Sequence, residues 1–387
     1  MKNNLKEKSL LIGVVSGEVS GDIAGANLIE SFKKKFSNVK FVGICGSKMK
    51  RKGCKAIYES NDICCFGIIE VLSKIPKILI IRSKIFSYFI KKKIDMFIGI
   101  DFPDFNIPLE KKLKENGIKT IHYISPSIWA WRKRRIFQIK KSVDLMLVFF
   151  NFEKDLYKKY KVPCECVGHF ISDKISYFPN KNYARKKLNL EQKKIYLSIL
   201  PGSRILEIKR LSLDFLKAAQ ILQKSFSNLK ILVLIINKEC YKQFMKIFKR
   251  SKLDLDIKII FDRSNIAMIA SDAAVVTSGT ATLECMLAKC PMVVCYKVNF
   301  FTYLVIKIFF NIRFISLPNL LGNKKIINEF VQYRCNPKKI SDSIKSILNN
   351  KNKVKFLKKS FLKLHKIIRF NTNTNIVDSI VSILFKN

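Results

Sequence analysis

The chain has 387 residues, with 73 Lys plus Arg against 29 Asp plus Glu (formal net charge +44) and 48% hydrophobic residues. That length suits two domains, each with apolar residues enough for its own core. The lysines run along the whole chain, with no zinc-finger spacing, helix-turn-helix signature or RNP-type aromatic run to read a base sequence, so no specific nucleic acid is expected and anionic membrane is the electrostatic partner.

Residues 1–9 are polar and basic, lead straight into the first apolar strand and do not read as a signal peptide. Eleven cysteines, an odd number, then read as reduced cytosolic thiols, and the Cys64-Cys65 and Cys164-x-Cys166 pairs lack metal spacing. The first strand, 9–15, ends in Ser16-Gly17-Glu18-Val19-Ser20-Gly21-Asp22, with Gly25 beyond. The G-x-G-x-x-G spacing of a dinucleotide site is absent, and two carboxylates would repel a pyrophosphate. Glu18 and Asp22 suit a hydroxyl-rich ligand instead, unless Ser20 or Asp22 only caps the following helix.

After a strand at 39–44, the apolar stretch 75–90 is broken by Lys77, Arg82 and Lys84. It is too interrupted for the roughly 20 apolar residues of a membrane span. It fits either a membrane surface or a packed helix with snorkelling lysines. Strand 96–100 runs into Gly99-Ile100-Asp101-Phe102-Pro103-Asp104-Phe105. Asp101, at the strand's carboxyl end among apolar neighbours that would raise its pKa, is a candidate general base. Capping of the next helix by Asp101 or Asp104 is the plain alternative.

Strand 120–124 precedes Ser125-Pro126-Ser127-Ile128-Trp129-Ala130-Trp131-Arg132-Lys133-Arg134-Arg135, which holds both tryptophans of the chain. Ser127, Trp129, Trp131 and Arg132 could grip a sugar phosphate. A stacking platform for RNA and a packed helix with solvated cations remain open. His122 and His169 follow strands without a signature of their own. A strand at 145–149 closes this half, and the polar stretch 172–190, with Pro179, separates it from the next.

Strand 195–200 enters Leu200-Pro201-Gly202-Ser203-Arg204 and a helix. Small residues at a helix start leave backbone N–H groups for phosphate, and the Arg204 fork suits a diphosphate. Strands 230–236 and 257–261 follow; Asp254-Leu255-Asp256 precedes the latter and reads as a surface turn rather than a metal site. Strand 273–276 repeats the phosphate design in Val276-Thr277-Ser278-Gly279-Thr280-Ala281-Thr282-Leu283-Glu284. Glu284, one turn into the helix, can accept two bonds from a ribose diol. Strand 292–296 is followed by a second apolar stretch, 298–310, carrying Lys307, and the periodic stretch 376–385 reads as a packed helix.

Strands separated by helices mean βαβ units. The expected fold is α/β: two doubly wound, Rossmann-like domains facing each other across a cleft, with every motif at a carboxyl end of a strand. The expected divisions are 1–170, 171–362 and a helical tail, 363–387, that returns to the first domain or to a partner subunit.

Together these motifs resemble the lipid-A-disaccharide synthases. The likeness runs through Ser16-Gly17-Glu18-x-Ser20-Gly21-Asp22, Gly99-Ile100-Asp101-x-Pro103-Asp104-Phe105-Asn106 and Ser125-Pro126-Ser127-x-Trp129-Ala130-Trp131. It continues through Val167-Gly168-His169, Leu200-Pro201-Gly202-Ser203-Arg204, Ser278-Gly279-Thr280-Ala281-x-Leu283-Glu284-Cys285 and Ser316-Leu317-Pro318-Asn319-Leu320-Leu321. It covers about residues 10–335, in order.

The resemblance implies a GT-B type inverting glycosyltransferase that joins UDP-2,3-diacylglucosamine to 2,3-diacylglucosamine 1-phosphate (lipid X). It implies Asp101 as base and a polar role for Asn319 near the donor, beside Gly202, Ser203, Arg204, Ser278, Gly279, Thr280 and Glu284. It places the protein in the cytoplasm, peripheral on the inner face of the inner membrane; the family tends to form a homodimer through its C-terminal region, where this chain carries no motif of the likeness. No cofactor or metal is expected, since Arg204 and the helix starts can neutralise the leaving diphosphate. A UDP-sugar 2-epimerase on the same scaffold is the rival enzyme, sharing the second-half motifs without needing the tryptophan-basic segment. A non-enzymatic RNA- or membrane-binding protein is the rival from charge alone.

Overall fold

A computed structural model describes residues 9–63, 68–128, 133–299, 303–304, 313–370 and 372–384. The chain divides into two compact units, Met1–Asp173 with Ile368–Asn387, and Lys174–Ile367.

The first unit follows β1 Leu10–Ser16, α1 Val19–Lys35, β2 Val39–Cys45, α2 Ser47–Arg51, β3 Cys54–Glu59, α3 Ser60–Ile63, α4 Ile68–Lys92, β4 Met96–Ile100 and α5 Pro103–Glu115. It continues with β5 Lys119–Tyr123, α6 Arg135–Ser142, β6 Leu145–Val148, α7 Asn151–Lys159, β7 Cys164–Cys166 and α8 Phe170–Lys174. Its seven strands are ordered β3-β2-β1-β4-β5-β6-β7 and pair in parallel.

The second unit runs α9 Lys181–Lys187, β8 Ile195–Leu200, α10 Ile205–Ser225, β9 Leu229–Ile235, α11 Lys238–Ser251, β10 Ile257–Phe261, α12 Ser264–Ala270, β11 Ala273–Thr277 and α13 Thr280–Leu287. Then come β12 Met292–Tyr296, α14 Leu317–Gly322, β13 Asn328–Val331, α15 Pro337–Leu348 and α16 Lys351–Ile368. The order of this parallel sheet is β10-β9-β8-β11-β12-β13. The chain re-enters the first unit with α17 Thr372–Leu384.

Central strands are buried along their length: β4 and β11 have no exposed residue. Helices on both faces of a parallel sheet impose this, so such strands read as continuous apolar runs. In the first unit, Leu28 and Phe32 of α1 pack with Ile376, Val377 and Ile380 of α17 on one face. Ile81, Ile85 and Phe89 of α4 pack with Phe105 and Leu109 of α5 on the other.

The 75–90 stretch is therefore a packed helix, yet it also turns Ile75, Leu79 and Ile80 to solvent, 40–55% exposed. Most of the second apolar stretch, 298–310, lies outside the described residues. Three strands were not anticipated from sequence, β3, β7 and β13. All lie at sheet edges, where half-buried positions tolerate polar residues.

Strand order reverses beside β1 and β4 in one unit and beside β8 and β11 in the other. Open α/β sheets bind ligands beyond the carboxyl ends of strands at such switch points.

Candidate active site

At the first switch point, β1 delivers Ser16, Gly17 and Glu18, and β4 delivers Asp101. Gly17 is glycine because the Phe102 ring occupies the space of a side chain, 2.6 Å from where a Cβ would stand. The Asp101 Cβ lies 3.6 Å from the Cβ that Gly21 lacks, so the start of α1 and the Asp101 turn are neighbours. Asp101 and Phe102 both hold left-handed backbone, φ 54° and 48°, and Ile124 at the end of β5 has φ 80°. Such strain in non-glycine residues, above all a β-branched one, gathers where structure serves function. Asp101 is half-buried, and its Oδ1 accepts the N–H of Phe102 at 2.8 Å.

Glu18 is half-buried and precedes α1 with extended backbone; its carbonyl accepts from Asp22 N at 2.9 Å. Asp22 points elsewhere. It is 5% exposed, and its carboxylate accepts from Gly46 N, Lys48 N and Met49 N at 2.8–3.1 Å. Those are the donors at the start of α2, so in this structure Asp22 caps a distant helix rather than its own. Asp104 is exposed and pairs with Arg135.

Ser127 is exposed; Trp129, Trp131 and Arg132 lie outside the described residues. At the root of that segment the Ser125 hydroxyl is 3.0 Å from the Tyr157 hydroxyl. The Glu153 carboxyl, buried beside them, is pushed up to about 8 by desolvation, against hydrogen bonds from the Phe150 and Phe149 backbone and Ser125.

His122 and Glu110 form a second buried pair, Nδ1 to Oε1 2.6 Å, with burial pushing the Glu110 carboxyl up. His169 sits among Phe149, Phe150 and Phe170, and burial holds its imidazole down near 3. That is a packing role.

At the second switch point the two helix starts differ. Glu207, three residues after Arg204, accepts the N–H groups of Ser203 (3.0 Å) and Arg204 (3.2 Å). The chain's own carboxylate thus fills the anion seat of α10. Gly202, with φ 122°, packs against the Glu207 side chain, while Ser203 and Arg204 are exposed. The Arg204 side chain is the cation this loop presents. Sequence reasoning missed Glu207, though the spacing from first cap to third helical residue is a recognisable signal.

Among the described residues the start of α13 is open: Gly279 has φ 148°, nothing there stands within 4 Å of its missing Cβ, and as cap residue it brings no side chain to the helix. Gly279 and Thr280 are exposed, and Ser278 is half-buried. Glu284 is half-buried and desolvation pushes its carboxyl up.

The segment before α14 braces this start: the Ser278 hydroxyl donates to Ile315 O, and Leu317 N donates to the Thr282 hydroxyl at 3.2 Å. Glu329 on β13 holds the brace by accepting Ile315 N and Ser316 N, each at 3.0 Å. Asn319, wholly buried, donates to Glu329 and Ile327 O and accepts Ile326 N and Ile327 N. Its amide supports the seat from behind.

Asp256 pairs with Lys230 in the 254–256 turn. Among the described residues no group of three or more His, Cys, Asp or Glu could hold a metal, and no helix is long and apolar enough to cross a membrane.

The family model described as lipid-A-disaccharide synthetase matches residues 12–380. The lipid-A-disaccharide synthase of Wigglesworthia glossinidia brevipalpis is 50% identical over 372 residues, covering 95% of this chain and 96% of that protein. Among solved structures, a glycosyltransferase from Rickettsia africae superposes with TM-score 0.60 at 14% identity, covering 98% of this chain and 100% of the other. The UDP-GlcNAc 2-epimerase of Methanocaldococcus jannaschii, in complex with UDP-GlcNAc and UDP, does so with TM-score 0.63 at 13% identity, covering 97% and 100%. The fold is of the GT-B type, and at these identities the structural likeness speaks for the fold alone.

Proposed function

The chain belongs to the lipid-A-disaccharide synthase family, the glycosyltransferases of lipid A biosynthesis, and on that premise we propose that it joins UDP-2,3-diacylglucosamine to 2,3-diacylglucosamine 1-phosphate. The products are the β-1,6-linked disaccharide 1-phosphate and UDP. The family match across residues 12–380 carries this reading.

In the proposed reaction the acceptor 6-hydroxyl oxygen attacks the anomeric carbon of the donor. The bond to the UDP oxygen breaks, configuration inverts, and Asp101 takes the hydroxyl proton. UDP binds the second unit: the diphosphate lies at the open start of α13 and against the Arg204 guanidinium, and the ribose diol meets Glu284. The charge that develops on the leaving diphosphate is met by fixed N–H dipoles and a cation, the arrangement that lowers such barriers. The acceptor binds the first unit near Glu18, Ser127 and the 129–132 segment. Asp22 and Asn319 support these sites through the loops they cap rather than by touching ligand.

The exposed Ile75, Leu79 and Ile80 of α4, with Lys77, Arg82 and Lys84 on the same helix, form the membrane-contact face. Apolar groups enter the interface while cations meet anionic headgroups.

The test is mass spectrometry of products from the two acylated substrates, with and without acceptor. Acceptor-dependent disaccharide 1-phosphate and UDP are expected. UDP release without acceptor, or an epimerised donor, would overturn the reading in favour of the 2-epimerase chemistry of its structural neighbour.

A further inference from the structure

We propose that Asn106 is the positioning residue for Asp101, holding the strained turn that aims the base; the inference rests on the reading of Asp101 as that base. Asn106 lies in the first turns of α5 and is fully buried. Its Nδ2 carries two N–H donors and spans two elements, reaching the carbonyl of Asp101 at 2.7 Å and that of Val15 at 3.4 Å. One carboxamide therefore ties the end of β4 to its neighbour β1, across the switch point where Glu18 and Asp101 emerge.

The turn it holds needs holding. Asp101 and Phe102 are consecutive left-handed residues with side chains, a conformation that persists only where the surroundings impose it. The fully buried Asn106 amide meets the Asp101 carbonyl at this turn.

The close approach of α5 that makes this bond possible is built in. A Cβ on Gly99 would stand 2.2 Å from Glu110 Oε1 and 3.0 Å from Asn106 Cβ. Glu110 is in turn fixed by His122 on β5. Asn106 Oδ1, Glu110 Oε2 and His122 Nε2 are buried without a protein partner among the described residues. Packing alone would place apolar side chains at these positions of α5 and β5, because unpaired buried polar atoms are costly. What Asn106 gains in return is control of the Asp101 turn.

The experiment is a double-mutant cycle on the full chain, with kcat, donor KM and thermal midpoint measured for Asn106→Ala, Asp101→Asn and the pair. If Asn106 acts through Asp101, Asn106→Ala lowers kcat on the order of 10²-fold, as misplacement of a reacting group by about 1 Å does. Donor KM stays unchanged, because UDP is held by the other unit. In the Asp101→Asn background, Asn106→Ala then has almost no further effect on kcat. The isosteric Asn106→Asp, which lacks the donating amide, repeats the cycle if the alanine variant folds poorly.

An equal factor in both backgrounds, or a loss confined to thermal midpoint, overturns the positioning role while leaving Asp101 as the base. Near-normal turnover of Asp101→Asn overturns the base assignment itself, and the inference with it.

Discussion

Replacing Glu153 by Gln should make the first unit more stable, and increasingly so as pH rises. An unfolded glutamate ionises near pH 4.5, whereas the buried Glu153 carboxyl is held up to about 8. Between those values the native state keeps a proton that the unfolded chain has released. Raising the pH therefore favours unfolding of the native sequence, and it does not act in this way on a glutamine variant. At about 1.4 kcal/mol per pH unit the full penalty is on the order of 4–5 kcal/mol, of which about 3 develops between about pH 5 and 8.

For a unit of this size that is a gap of about 6–12 °C in melting temperature opening across the range. Both tryptophans, Trp129 and Trp131, belong to the first unit by sequence, so intrinsic tryptophan fluorescence follows its unfolding alone. The expected result is two melting-temperature curves that converge near pH 5 and separate steadily toward pH 8, the variant above. Parallel curves would mean that Glu153 is ionised in the folded protein, and that Ser125 and the Phe150 N–H stabilise its charge more than burial opposes it.

Arg204→Ala should lower kcat/KM on the order of 10²- to 10³-fold, because it removes the one side-chain cation of the α10 loop, and Arg204→Lys should restore only part of it; unchanged kcat/KM in the alanine variant would exclude it from the diphosphate. Glu284→Gln should weaken UDP more than dUDP in calorimetric titration, and equal losses would exclude ribose contact. Exchanging Lys77, Arg82 and Lys84 for Gln should reduce cosedimentation with vesicles containing anionic lipid. Undiminished binding would move the membrane face off α4. Asp101→Asn should lower kcat roughly 10²- to 10⁴-fold with little change in UDP affinity, read by steady-state kinetics beside a UDP titration.

The central strands and the bare start of α13 were legible in sequence because their causes are local. Residues 96–100 and 273–276 are apolar runs that only a strand covered on both faces can use, and Ser278-Gly279-Thr280 is small enough to leave a helix start bare. The edge strands β7 and β13 were not legible, since Cys-Glu-Cys is too short to establish a period, Asn-Glu-Phe-Val carries no alternation, and both acquire strand form from a neighbour's unpaired backbone.

The same division runs through the site. Residue type and spacing marked Asp22 and the start of α10 as polar sites, and the family resemblance marked Asn319. Only the tertiary structure decided which groups receive them. Asp22 caps α2, more than twenty residues away, Asn319 turns its amide to the 326–329 segment, and Glu207 fills the anion seat beside Arg204. A carboxylate or carboxamide binds whichever donors the fold brings within about 3 Å, and those donors come from elements whose order in space the chain does not spell out locally.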